Sequence, residues 1–155
     1  MANSKEFDFM KMFYDIRQVC MGEEVCGACT DMDCLVGYAR QCIGKAKKND
    51  TDNLPGEYAN IPLCDTKGSY DMNFAMEAIA HTLQQCKSCK DFHNVDCLVN
   101  IIRSCYEVIV FGEEREYPGS AFVYLSKLSA EHPEIAAYIS EIYRNHGNPV
   151  DELLK

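Results

Sequence analysis

The fold of this chain depends on a cysteine-rich stretch that reads Cys20-MGEEV-Cys26-GA-Cys29-TDMD-Cys34, with Cys42 after seven more residues. A second block has related spacing and reads Cys86-KS-Cys89, followed after gaps of seven residues by Cys97 and then Cys105. Nine of the ten cysteines lie in these two blocks, and the remaining one is Cys64. A pattern that occurs twice predicts an internal repeat.

A CxxC turn is suited to metal binding, because its two thiolates converge on one ion and two further ligands complete a tetrahedron. In the first block the predicted ligands are Cys20, Cys26, Cys29 and Cys34. Cys42 lies eight residues beyond Cys34 on a predicted helix, which places it about 12 Å further along the axis. One ion cannot bind both, so we expect Cys42 to be a buried core residue. Cys105 stands in the same relation to Cys97, and the same prediction applies to it.

The second block has one cysteine fewer at ligand spacing. It supplies Cys86, Cys89 and Cys97, and has no equivalent of the first cysteine of the other block. Three thiolates leave one position of a tetrahedral site open. His81, on the helix before the turn, and Cys64, in the connection between the repeats, are the two main candidates for that position. His93 within the turn also competes for it.

Zinc is the metal expected for a closed site of four thiolates, or of three thiolates and one imidazole. A 4Fe–4S cluster is the alternative, because it also accepts four cysteines. The first block is similar in spacing to the cluster loop of endonuclease III-type DNA glycosylases, although its first and last gaps are each one residue shorter. That resemblance is confined to the cysteine loop, and it carries no glycosylase activity over to this chain.

Apolar residues recur at helical spacing through most of the chain, so the predicted fold class is all-α. Two helix–cysteine-turn–helix hairpins are expected to form a four-helix bundle-like core that is stapled by metal, with both turns at the same end. A C-terminal helical pair begins at Ser120, and its first helix is expected to direct Phe122, Leu125 and Leu128 inward. The chain is interpreted as a single domain, 1–155, comprising repeat 1 at about 3–47, a crossover at 48–70, repeat 2 at about 71–112 and the C-terminal helices at 119–155.

Charge and composition restrict the classes of function. The formal net charge is −9 and the basic residues are scattered, which argues against direct nucleic-acid binding, since that requires a clustered basic face. The sequence has neither a secretory signal nor an apolar run long enough to span a membrane. We therefore expect a cytoplasmic protein whose thiols stay reduced. The acidic run Glu113, Glu114 and Glu116 predicts a solvated surface.

These observations predict a small cytoplasmic zinc protein that acts non-catalytically, as a protein-interaction or regulatory module. Conventional catalytic motifs are absent from the sequence, so an enzymatic role is left open but is not favoured. Two alternatives remain: an iron–sulfur electron-transfer protein, and an acidic inhibitor that binds the basic surface of a nucleic-acid-binding protein. The expected partner is a protein, with no membrane involved, and the oligomeric state is left open.

Overall fold

A computed structural model of the protein describes residues 9–20, 34–51, 53–62, 70–87, 96–118 and 120–146. Within these ranges the protein is all-helical, which confirms the predicted fold class, and it contains no strand. The six α-helices are α1 (Phe9–Val19), α2 (Leu35–Asn49), α3 (Met72–Lys87), α4 (Leu98–Phe111), α5 (Ala121–Glu131) and α6 (Pro133–His146). A single 3₁₀ turn, Tyr58–Asn60, lies in the described part of the connection between α2 and α3. None of the described helices is long and apolar enough to cross a lipid bilayer.

The helices begin and end at residues whose local chemistry favours a boundary. Asp71 caps α3, because its Oδ1 accepts a hydrogen bond from the backbone N–H of Phe74 at 3.0 Å. Ser120 caps α5 in the same way, through the N–H of Val123 at 3.4 Å. Helix α4 ends at Gly112, whose φ of 83° is a left-handed conformation that favours glycine.

The four helices of the two repeats each pack against two of the others: α1 and α4 both contact α2 and α3. Helices α1 and α3 run antiparallel, because the N–H of Asp71 at the start of α3 donates to the carbonyl of Val19 at the end of α1, at 2.8 Å. Helices α2 and α4 are also antiparallel, since the N–H of Leu54, beyond α2, donates to the carbonyl of Asp96, just before α4, at 2.9 Å. Helix α6 packs along α3, and α5 packs against α6.

The described residues that flank the two cysteine turns lie at opposite ends of this helical array. Cys20 forms an isolated antiparallel bridge with Tyr70, just before α3, whereas Cys97 forms one with Asn53, beyond the end of α2. Helix α3 has 16 residues and separates these ends by about 24 Å. The two cysteine turns were predicted to lie at the same end, and the described residues that flank them show that this prediction is wrong. The reason is that α2 ends near Asp96, just before α4, whereas α3 begins at the other end of the array, near Val19.

A continuous core of buried apolar side chains joins all six helices. In α5, however, the prediction that Phe122 faces inward is wrong, since this side chain is 79% exposed. The buried stripe of that helix consists of Ala121, Tyr124 and Leu128. Leu128 thus faces inward as predicted, while Phe122 lies one residue, or about 100° of helical rotation, away from the buried face.

Candidate functional site

Cys34 and Cys97 occupy equivalent positions in the two repeats, as the N-cap residues of α2 and α4. Both are partly exposed. The Cys34 Sγ accepts a hydrogen bond from the backbone N–H of Gly37 at 3.2 Å. Each predicted ligand set therefore contains a partly exposed cysteine at the N-terminus of a helix.

Cys42 and Cys105 are also equivalent, and they follow the N-cap cysteines by eight residues in both repeats. Their side chains are 1% and 0% exposed. Burial raises the pKa of Cys42 to about 11, and burial together with the nearby Cys42 raises the pKa of Cys105 well above its ordinary value. The prediction that both are core residues is confirmed.

Tyr70 contacts the described residues at both ends of the first cysteine turn. Tyr70 forms the backbone bridge with Cys20 described above. Its hydroxyl oxygen also accepts a hydrogen bond at 3.1 Å from the N–H of Leu35, the residue that follows Cys34. Both ends of the first cysteine turn are therefore held near one tyrosine.

The remaining predicted ligands lie outside the described residues. These are Cys26, Cys29, Cys64 and Cys89, together with the competing His93. Cys86 lies in the last turn of α3, but its side chain is not part of what the structure describes. Among the described residues, no group of three or more His, Cys, Asp or Glu side chains is placed to hold a metal ion. The two metal sites therefore stay predictions.

His81 is paired with an acidic residue of α1. Its Nδ1 lies 3.0 Å from the Oδ2 of Asp15, and the two residues are 6% and 8% exposed. His81 and Ile102 of α4 line the same small cavity, and Ile102 is five residues beyond Cys97, or about 7 Å along the helix. The described residues thus bring His81 next to Asp15.

A cleft lies beside this His–Asp pair, between α1 and α3. Its volume is about 240 Å³. Two aromatic side chains line it while staying exposed, Tyr14 at 56% and Phe74 at 37%. The full lining consists of Lys11, Tyr14, Asp15, Gln18, Phe74, Glu77 and His81. The cleft therefore combines exposed aromatic surface with a charged and hydrogen-bonding interior.

A second and much smaller cavity adjoins the cleft on the core side. It measures about 10 Å³ and shares Lys11, Asp15 and His81 with the cleft, and this is about the smallest volume that can hold one water molecule. Tyr106 lines the cavity and is 1% exposed, and its hydroxyl has no hydrogen-bond partner among the described residues. Burial and the nearby Asp15 carboxylate raise the pKa of Tyr106 well above its ordinary value. Polar groups therefore continue from the cleft into the core.

Asp15 and Glu77 are cleft residues that were not predicted from the sequence. A signal was present for Asp15, which lies on the apolar stripe of α1 formed by Met12, Ile16 and Val19. A carboxylate at a core-facing position is costly to bury unless it has a partner, and so it indicates a specific contact. Glu77 carries no comparable signal, because a partly exposed glutamate on a helix is ordinary.

A buried ionic network joins α4 to α5 and to the segment between them. The Oε2 of Glu107 accepts hydrogen bonds from the Nε of Arg103 at 2.9 Å and from the hydroxyl of Tyr124 at 2.6 Å. Its Oε1 accepts from the backbone N–H of Arg115 at 2.8 Å. The Arg103 guanidinium also lies 4.8 Å from the ring centroid of Tyr117. The network joins α4 to α5 and accounts for the two charged residues of α4.

Comparison with known proteins gives no relative for this chain. No protein family matches it, and neither a curated protein nor a solved structure shows significant similarity.

Proposed function

We propose that this protein is a metal-stabilised helical module that acts non-catalytically, by contact with a partner protein. The observation that carries the metal assignment is the division of the described cysteines into two classes. Cys34 and Cys97 are partly exposed at helix N-termini, whereas Cys42 and Cys105 are fully buried. This division matches the predictions, in which Cys34 and Cys97 are metal ligands and Cys42 and Cys105 are core residues.

Zinc is the proposed metal, and two separate ions are proposed. The first would be bound by Cys20, Cys26, Cys29 and Cys34, and the second by Cys86, Cys89, Cys97 and either His81 or Cys64. The flanks of the two turns lie at opposite ends of the helical array, so one shared ion would be far from one of the blocks. Each ion would close one helical hairpin, and structural zinc contributes directly to folding free energy.

Contact with a partner protein is supported by the charge and the surface. The chain carries a formal net charge of −9, and large apolar side chains are exposed on several helices, among them Met10, Tyr14 and Phe122. Exposed apolar groups beside charged ones are typical of interaction surfaces. The acidic charge favours a basic partner, because complementary potentials speed association.

Elemental analysis of anaerobically purified protein, combined with an absorption spectrum, tests the metal assignment. We expect two zinc ions per chain and a colourless protein. A brown protein that absorbs near ~400 nm would instead support the iron–sulfur alternative. Purified protein that contains no metal, with its thiols kept reduced, would overturn the assignment.

Two variants make this test specific. Cys34→Ser keeps a good N-cap residue, because serine oxygen accepts the same backbone hydrogen bond, so it should remove one ion while leaving α2 capped. Cys42→Ala is the matched control, which should retain all metal and lose about 1–2 kcal/mol of packing free energy. Loss of metal from Cys42→Ala, or full retention in Cys34→Ser, would contradict the proposed ligand set.

A further inference from the structure

We propose that the cleft between α1 and α3 binds a basic side chain, arginine in preference to lysine, that a partner protein presents. This inference rests on the contact function proposed above and assigns it a place on the molecule. Three features of the cleft carry it: two carboxylates in the lining, two exposed aromatic rings, and a volume that suits one long side chain.

The carboxylates belong to Asp15 and Glu77, one from each helix. Asp15 is 8% exposed, and its contact with His81 Nδ1 occupies one of its oxygens. A carboxylate accepts up to about four hydrogen bonds, so this contact leaves acceptor capacity on Asp15. Glu77 is less buried and accepts a long hydrogen bond from Tyr138 at 3.4 Å. Two negative groups in a partly enclosed space favour a cationic guest, since charge interactions are stronger away from bulk water.

The aromatic rings suit the same guest. Tyr14 and Phe74 line the cleft and keep 56% and 37% of their surfaces exposed. A guanidinium group stacks on aromatic faces and forms two parallel hydrogen bonds to a carboxylate, which an ammonium group cannot do. The volume of about 240 Å³ lies below the ~300–1,000 Å³ of pockets for drug-sized ligands. It therefore suits a single long side chain.

Lys11 also lines the cleft and provides a test of the sign of the guest's charge. If the guest is a cation, removing this positive charge in Lys11→Met should strengthen binding, and removing a negative charge in Glu77→Gln should weaken it. An anionic guest would reverse both effects. Neither side chain is fully buried, so the two variants should fold like the wild type, and the NMR spectrum of each checks this.

The experiment is an NMR titration of the full-length, metal-loaded protein with Nα-acetyl-arginine amide. The matched control ligand is Nα-acetyl-citrulline amide, which has nearly the same shape and no charge. We expect saturable shifts of the amide signals of residues 11–18 and 74–81 with the arginine probe, and little response to citrulline. Glu77→Gln should weaken binding about three-fold, and Lys11→Met should strengthen it by a similar factor. The corresponding lysine amide should bind more weakly than arginine.

Several results would overturn the inference. These are an equal response to citrulline, shifts spread over exposed acidic residues such as Glu113 and Glu116, or reversed effects of the two variants. The metal analysis tests the metal-stabilised module separately. A metal-loaded protein that does not respond to arginine would therefore refute the cleft assignment alone.

Discussion

Glu107 of α4 accepts a hydrogen bond from the hydroxyl of Tyr124 of α5 at 2.6 Å, and the two residues are 0% and 2% exposed. The same carboxylate oxygen also accepts from Arg103. The buried Glu107 carboxylate therefore links α5 to α4 through Tyr124 and pairs with Arg103 within α4. Replacing one member of such a pair leaves the other charge buried without its counterion.

We expect Glu107→Ala to lower the free energy of unfolding by about 3–5 kcal/mol, because Arg103 would stay buried without its carboxylate. Urea denaturation followed by circular dichroism measures this loss. Glu116→Ala is the control, since Glu116 is exposed and its replacement should change stability by less than about 0.5 kcal/mol. Equal stabilities for the two variants would show that the network contributes little.

Stability should fall as the pH rises above about 9, because of the buried thiol of Cys42. Burial raises its pKa from 9.0 to about 11 in the folded protein, so the folded state holds the proton more tightly than the unfolded chain does. The protonated Cys42 thiol therefore contributes its full stabilisation below the pKa that it has in the unfolded chain. This stabilisation is lost as the pH rises through the pKa of the folded state. The contribution of Cys42 is measured by comparing the unfolding free energies of wild type and Cys42→Ala at about pH 8 and pH 10.5. If Cys42→Ala shows the same pH dependence of stability as the wild type, groups other than Cys42 cause the loss of stability at high pH.

Charge reversal on the acidic segment after α4 should slow association with a basic partner. Glu113 and Glu116 are exposed and suitable for reversal to lysine, whereas Glu114 accepts a hydrogen bond from Tyr58 and should be left intact. We expect the double variant to reduce the association rate more than it raises the dissociation rate, and high salt to reduce the wild-type rate similarly.

Stopped-flow kinetics with the partner isolated by pull-down would measure both rates. Reversal of Glu134 and Glu141, which are exposed on α6, gives a control with the same change in net charge. If both double variants slow association equally, total charge and not this segment determines the rate.

Local features of the sequence predicted the helices and the fate of two cysteines. Helical periodicity and the caps at Asp71 and Ser120 act over a few residues, so the chain itself carries that information. The eight-residue spacing that makes Cys42 and Cys105 core residues is also local, because both members of each pair lie at one helix. For the same reason the all-α class could be predicted without knowledge of any contact between helices.

Contacts between distant residues were decided by the tertiary structure alone. The described flanks of the cysteine turns lie at opposite ends of the helical array, because a connection as long as the one between α2 and α3 allows α3 to begin at either end. The buried face of α5 is set by the bond between Tyr124 and Glu107, which leaves Phe122 outside. Asp15 and His81 are 66 residues apart. Periodicity shows that a helix has a buried face, but which charged groups meet there depends on the packing of elements that are remote in sequence.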